Sequence, residues 1–214
     1  MKKNFFLYIG AGIAVLIIAL VLGLDKDVEF VLKSSPELDF QYVSANAKLK
    51  ENLEIYDISM STTLEFGKPD LIAKYCSFFD DKNKQKLVEY CTSTELRDSE
   101  GNFLGNIHMV GSPRLPKLVL VLIQADPFVN ELPEIKSVFG AVIENLVCKC
   151  WEEVKPSNIN TINEWIDKHQ EFHSSAVRPT SKSTLSLEGK MLQIEITTNT
   201  EGYLWKLFVA AQNT

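Results

Sequence analysis

Four cysteines are the residues of this sequence best suited to covalent chemistry: Cys76, Cys91, Cys148 and Cys150. An even number of cysteines is typical of chains exported to an oxidising compartment, where thiols pair as disulfides. The midpoint between Cys76 and Cys91 falls at residues 83–84, inside a predicted turn at residues 80–84. If that turn joins two antiparallel helices, residues equidistant from it face each other. We therefore predict a disulfide between Cys76 and Cys91.

Cys148 and Cys150 fall near the end of a long predicted helix over residues 131–151. In a continuous helix the two side chains would point about 200° apart and could not bond to each other. Cys150 would then be a small core residue. If the helix ends before them, both could face one way and form a soft-metal or redox pair. The two-residue spacing leaves both alternatives open.

Two histidines have the spacing of a metal site. His169 and His173 are four residues apart in a predicted helix over residues 161–174, so their rings share one face. This spacing could hold a copper or zinc ion. Glu171 does not follow the first histidine directly, so the zinc-protease order His-Glu-x-x-His is absent. No third ligand is identifiable, and cationic side chains also suit a helix C-terminus for purely structural reasons.

The remaining histidine, His108, lies in an apolar segment before Gly111 and Ser112. It could serve as a base in a hydrolase, although a buried structural histidine is the commoner outcome. The sequence has no Gly-x-Ser-x-Gly elbow and no glycine-rich phosphate loop. An enzyme is therefore not the favoured interpretation.

The N-terminal segment of the chain is apolar and precedes the elements that position these residues. Residues 5–24 carry no charge and follow Lys2 and Lys3. As a helix this segment would be about 30 Å long, the thickness of the hydrocarbon core of a bilayer. The two lysines favour a cytoplasmic N-terminus. We predict a single-pass anchor in the cell membrane, with all later residues extracytoplasmic.

A cleavable signal peptide is the alternative for the same segment. Signal peptides have a shorter apolar core of about 7–15 residues, and the best cleavage motif here, Val21-Leu22-Gly23, is poor. The segment resembles a pilin N-terminus only in its length. Either processing route leaves the rest of the chain outside the cytoplasm.

The composition after residue 24 narrows the class of partner. All 28 acidic residues lie there, whereas two of the 22 basic residues lie before it, so this part is more negative than the whole chain at −6. Nucleic acid is a poor partner for such a domain because no basic stripe is present. A hydrophobic content of 45% and three tryptophans indicate a packed core.

Periodicity predicts an α+β fold, with an antiparallel or mixed sheet packed with helices. We divide the chain into an anchor at 1–24, a juxtamembrane segment with a first strand at 25–52, and a domain at 53–214. The alternation of Leu38, Phe40 and Tyr42 indicates that first strand. Further helices are predicted at 69–79, 87–91, 131–151 and 161–174, and further strands at 53–67, 103–110, 117–124, 184–187, 191–197 and 203–210.

Two of the predicted strands differ in how many of their faces are expected to be buried. Residues 118–123 are apolar at every position, which predicts a central strand covered on both faces. The strand at 191–197 alternates, which predicts one buried face and one face open to water. The expected buried residues are Leu192, Ile194 and Ile196, and the expected exposed ones are Gln193, Glu195 and Thr197.

An anchor, a real core and the lack of a catalytic motif favour a membrane-anchored domain that binds a ligand or a protein. A metal or redox protein using His169 and His173, with Cys148 and Cys150, is the first alternative. A hydrolase with His108 is the second.

Overall fold

The computed structural model describes residues 26–77, 79 and 82–212. The predicted anchor at residues 5–24 lies outside these residues. Among the helices that are described, none has both the length and the apolar character needed to cross a bilayer.

Eight strands form one sheet in the order β1-β3-β4-β5-β8-β7-β6, with β2 pairing the outer edge of β3. Every pairing is antiparallel. The strands are β1 Ser59–Met60, β2 Leu64–Phe66, β3 Tyr90–Arg97, β4 Phe103–Gly111, β5 Pro116–Ala125, β6 Thr180–Leu187, β7 Lys190–Asn199 and β8 Gly202–Ala211.

Helices lie on both faces of this sheet. They are α1 over residues 26–34, α2 Tyr42–Glu54, α3 Pro69–Tyr75, α4 Lys82–Gln85, α5 Leu132–Leu146, α6 Trp151–Val154 and α7 Ile162–Ser174, with a 3₁₀ turn at Pro156–Asn158. The α+β class and the antiparallel sheet packed with helices, both predicted from sequence, are confirmed.

The first face of the sheet packs against α2, α5 and α7. Buried residues of these helices form one cluster with alternate residues of β5, such as Val119 and Val121. One face of α5 is buried in this core, because the apolar residues of the helix recur at three- and four-residue spacing. Trp165 of α7 packs here and donates its indole N–H to Ser183 Oγ at 2.8 Å.

The second face of the sheet packs against α1 and α3. Leu118, Leu120 and Leu122 of β5 form a separate cluster with Val31 of α1 and Ile72 of α3. β5 lies between β4 and β8 and is buried on both sides. The prediction of a doubly covered central strand is therefore confirmed.

The polar side of β7 is buried, which contradicts the expectation that it faces water. Glu195 has no exposed surface and Lys206, its partner across the strand pair, is 1% exposed. Lys206 Nζ lies 2.6 Å from Glu195 Oε1. Lys182 Nζ lies 3.2 Å from Glu195 Oε2 and also pairs with Asp27 of α1. Glu195 was expected to face water, but it is buried beneath α1, where it forms an ion pair with Lys206 on the adjacent strand.

Four other local predictions are wrong. The strand expected over residues 53–67 is not formed as one strand, because Leu53 still belongs to α2 and the segment contains the two short strands β1 and β2. The strand expected over Leu38, Phe40 and Tyr42 is not formed, because Tyr42 begins α2 and Leu38 and Tyr42 are both buried against it. The helix expected over residues 87–91 is instead the approach to β3, which begins at Tyr90. The long helix ends at Leu146 rather than near residue 151.

The burial of both sides of β7 gives a stability prediction. Ile194→Ala should lower the unfolding free energy by about 2–5 kcal/mol, because it leaves a cavity. Glu195→Ala should lower it by about 3–5 kcal/mol, because Lys206 keeps a buried charge without its main partner. Urea unfolding of the two variants and of the unsubstituted chain measures both values.

The exposed Glu201, in the turn between β7 and β8, supplies the matched control for Glu195. Glu201→Ala should change stability by no more than about 0.5 kcal/mol. The double variant Glu195→Leu, Lys206→Met should recover most of the loss, since it removes both charges together. An effect of Glu195→Ala as small as that of Glu201→Ala would contradict the buried pair.

Candidate functional site

The first group of candidate residues surrounds Cys76 and Cys91. Cys76 ends α3 and Cys91 lies in β3, and the structure places the two sulfurs at bonding distance with their Cα atoms 6.5 Å apart. Both residues are almost fully buried. The structure thus brings the predicted pair together, but not through a helical hairpin: the bridge ties α3 to the sheet.

His108 of β4 lies beside this bridge. Its ring and the two sulfurs provide ligand atoms that are all within 4.8 Å of one another. Burial lowers the pKa of His108 to about 4, so the ring is neutral at physiological pH. Two thiolates and a neutral imidazole suit zinc or copper(I), but a formed disulfide offers no thiolate. His108 was not connected to the cysteines from sequence, because β3 was not predicted; its pairing with β4 places Cys91 opposite Val110 and Ser93 opposite His108.

Cys148 and Cys150 form the second pair. α5 ends at Leu146, and the Cα atoms of the two cysteines are 5.2 Å apart with their sulfurs at bonding distance. The alternative in which the helix ends before them is the one observed. A soft-metal role for this pair stays a prediction, and it would require the thiols to be reduced.

His169 and His173 share one face of α7 and both contact Ser181 of β6. His173 Nδ1 lies 2.8 Å from Ser181 Oγ, and His169 Nε2 lies 3.3 Å from the same oxygen. The other ring nitrogen of His173 lies 3.0 Å from Thr198 Oγ1. The two rings are therefore held by hydroxyl groups on β6 and β7.

The environment of these two rings favours the neutral form. Burial is the main cause that lowers the pKa of His169 to about 4, and His173 adds to the effect. Burial, with Arg178 nearby, also lowers the pKa of His173. Neutral imidazoles can bind metal, but within the described residues no third His, Cys, Asp or Glu joins them as a ligand group. A copper or zinc ion at His169 and His173 stays a prediction.

An apolar pocket lies between α3 and α4, close to Cys76. It has a volume of about 700 Å³ and a floor formed by the buried side chains of Ile72, Phe79 and Val88. Lys82 and Lys86 lie at its exposed rim. The sequence did not indicate this pocket, because residues 87–91 were predicted to be helical rather than the approach to β3.

The walls of this pocket are held in place by specific bonds. Gln85 Nε2 donates to the carbonyl oxygen of Cys76 at 2.9 Å, and the Phe79 N–H donates to Gln85 Oε1 at 3.2 Å. The side chain of Gln85 thus joins α4 to the end of α3, directly above the Cys76–Cys91 bridge. A second pocket of about 360 Å³ is lined by His173, Arg178 and Tyr203.

Comparison with known proteins gives no relative: no family model, no curated protein and no solved structure matches this chain. Function must therefore be argued from the geometry of the chain itself.

The two cysteine pairs should differ in their contribution to stability. The Cys76–Cys91 bridge closes a loop with a sequence separation of 15, whereas Cys148 and Cys150 are separated by 2. The double variant Cys76→Ala, Cys91→Ala should lose about 2–5 kcal/mol. The double variant Cys148→Ala, Cys150→Ala should lose less, since a shorter loop restricts the unfolded chain less. Peptide mapping without reduction, combined with urea unfolding, tests the pairing and the order. Free alkylation of Cys76 and Cys91 in the native protein would contradict it.

The histidine environments also predict a pH dependence. The ordinary pKa of histidine is 6.5, and that of His169 falls to about 4 in the folded chain. As pH falls through this interval the unfolded chain binds protons that the folded chain excludes. The unfolding free energy should therefore be constant above pH 7 and decrease between about pH 6.5 and about pH 4.

Urea unfolding across this interval measures the slope. The double variant His169→Gln, His173→Gln should have a shallower slope than the unsubstituted chain, with the remainder due to His108 and, at the acid end, to carboxyl groups such as Glu29 and Glu164, whose pKa values are also lowered. An unchanged slope would show that the two rings titrate normally in the fold.

Proposed function

We propose that this chain is a single-pass membrane protein whose extracytoplasmic domain binds a small amphiphilic anion in the pocket between α3 and α4. The observation that carries the proposal is the pocket itself, an apolar floor of Ile72, Phe79 and Val88 beneath a rim with two lysines. The expected ligand has an apolar body and a carboxylate.

The size and lining of the pocket support a small ligand. Pockets for small molecules have volumes of about 300–1,000 Å³ and are mainly apolar, with a few polar groups that orient the ligand. The volume of about 700 Å³ lies within this range. Gln85 and the Cys76–Cys91 bridge hold the walls before any ligand arrives, which reduces the entropy lost on binding.

The charges around the pocket support an anion. Among the described residues that line the pocket, two are basic, Lys82 and Lys86, and one is acidic, Glu89. This excess of positive charge stands out because acidic residues outnumber basic ones by 28 to 22 in the whole chain. A carboxylate placed between the two lysines would gain attraction that the rest of the acidic surface does not offer.

Binding is favoured here over the two alternative functions. A metal or redox role would use Cys76, Cys91 and His108 only after the bridge is reduced, or His169 and His173 with a third ligand still to be identified. A hydrolase would require His108 to reach its substrate, but this side chain is buried. The described geometry therefore supports a binding protein better than an enzyme.

Octanoate is a suitable probe, because it combines a short apolar chain with a carboxylate. We expect the full chain in phosphatidylcholine nanodiscs to bind octanoate in a calorimetric titration, after subtraction of the heat from empty nanodiscs. Ala73 is exposed and lines the pocket, so Ala73→Trp should fill the space and abolish binding without disturbing the core. Lys82→Glu, Lys86→Glu should weaken binding by at least about tenfold, since each lost contact with a charged group contributes about 1.5–3 kcal/mol.

The matched control is Lys48→Glu, Lys50→Glu on the exposed side of α2. It changes the net charge by the same amount, so it should leave octanoate binding unchanged. Equal binding by the Ala73→Trp variant and the unsubstituted chain would overturn the assignment of the ligand to this pocket.

A further inference from the structure

One end of the sheet collects most of the exposed apolar side chains. At this end, named here the lower end, β3 turns into β4 through residues 98–102 and β7 turns into β8 through residues 200–201. The large exposed hydrophobic residues at or beside it are Ile55, Tyr56, Phe103, Phe128, Phe172 and Val177.

The pairing of the strands places four of these residues. Ile55 follows α2 and precedes β1, whose Ser59 pairs with Arg97 at the lower end of β3. Phe103 pairs with the same Arg97. Phe128 follows Ala125, the residue of β5 that pairs with Tyr203. The segment that contains Val177 leads into β6, where Thr180 pairs with Thr197.

α1 is directed toward the lower end at its N-terminus. Near its C-terminal end, the carbonyl oxygen of Leu32 accepts a hydrogen bond from Lys117 Nζ at 3.0 Å, at the upper end of β5. Near its N-terminal end, Asp27 pairs with Lys182 and accepts from Gln193 Nε2 at 3.4 Å, farther down β6 and β7. The N-terminal end of α1 is therefore closer to the lower end of the sheet than its C-terminal end is.

The distance between α1 and the predicted membrane span is short. The uncharged segment ends at Leu24 and α1 is described from residue 26, so a single residue separates them. One fully extended residue covers at most about 4 Å, which is less than the thickness of one headgroup layer, roughly 5–8 Å. The ion pairs of Asp27 prevent α1 from lengthening this tether without breaking contacts to the sheet.

From this placement we infer that the lower end of the domain lies against the bilayer, with the exposed side chains of Ile55, Phe128 and Val177 in the headgroup region. The inference rests on the proposed membrane anchor. Asp98, Glu100 and Glu201 also lie in the lower turns, so the attraction is apolar and does not depend on anionic lipid. Aromatic side chains are favoured at this depth of a bilayer.

The two ends of α2 provide a matched pair of positions for a test. Val43 and Ile55 are both 73% exposed. Val43 lies in the first turn of α2 and Ile55 directly follows its last residue, so the two positions are about 18 Å apart along the helix axis. Tyr42, next to Val43, donates its hydroxyl to the Ser112 carbonyl oxygen at the upper end. The three native tryptophans are all buried, so a tryptophan added on the surface can be measured against a constant background.

The experiment reconstitutes the full chain in phosphatidylcholine vesicles and compares three variants: Ile55→Trp, Phe128→Trp and Val43→Trp. In vesicles of dibrominated phosphatidylcholine, the added emission should be lost for Ile55→Trp and Phe128→Trp. Val43→Trp should keep its emission and should instead be quenched by aqueous iodide. Raising the salt concentration should change none of these results.

Carbonate extraction of the same vesicles separates the two possible failures. Release of the chain by carbonate would overturn the proposed anchor. Retention of the chain, with lipid quenching at Ile55→Trp and Phe128→Trp no greater than at Val43→Trp, would overturn only the orientation inferred here. Strong lipid quenching at all three positions would also overturn it, because the upper end would then contact lipid as well.

Discussion

The buried pair between Glu195 and Lys206 constrains the second face of the sheet. Both residues lie at the centre of the β7–β8 pairing, directly opposite each other. A slip of either strand by one residue would turn the charge of that strand to the other face, among the apolar residues that pack against α5 and α7, and separate it from its partner. A buried charge without its partner costs several kcal/mol. The pair therefore specifies the register of the two strands and, through β8, the position of β5.

The same pair explains how α1 can cover charged residues. Lys182 links Glu195 to Asp27 of α1. Burial disfavours the charged form of Lys182, but hydrogen bonds with Asp27 and Glu195 outweigh this and raise its pKa. α1 thus closes the second face with Val28, Val31 and Leu32 while Asp27 completes a charge network.

Regular patterns in the sequence predicted the centre of this fold well. The continuous apolar run of β5 and the periodic face of α5 each reflect a local period that tertiary contacts did not change. The alternation in β7 correctly placed only its apolar side chains, Leu192, Ile194 and Ile196, in the core. The start of the domain was harder, because the alternation of Leu38, Phe40 and Tyr42 also suits the entry into a helix that buries Leu38 and Tyr42. Glu195 was misplaced because the sequence does not show which charge lies across the sheet. Lys206 within an otherwise apolar strand was the available signal.

The candidate sites were predictable only in part, for the same reason. The spacing of His169 and His173 predicts that they share a face, but Ser181 and Thr198, which bind them, come from β6 and β7. The pairing of Cys76 with Cys91 was expected from a hairpin that does not exist. The pocket between α3 and α4 is lined by residues of α3, α4 and the segment before β3, so no single periodic pattern could predict it.

The position of β8 has a consequence for how the chain is made. β8 is the last strand in the sequence, yet it lies between β5 and β7 in the interior of the sheet. Until residues 202–211 have been synthesised, β5 has an open edge and the hairpin of β6 and β7 has no neighbour to pair with. Such edges can pair with other chains. The sheet therefore cannot be completed before residues 202–211 have been synthesised, because β5 and β7 are joined only through β8.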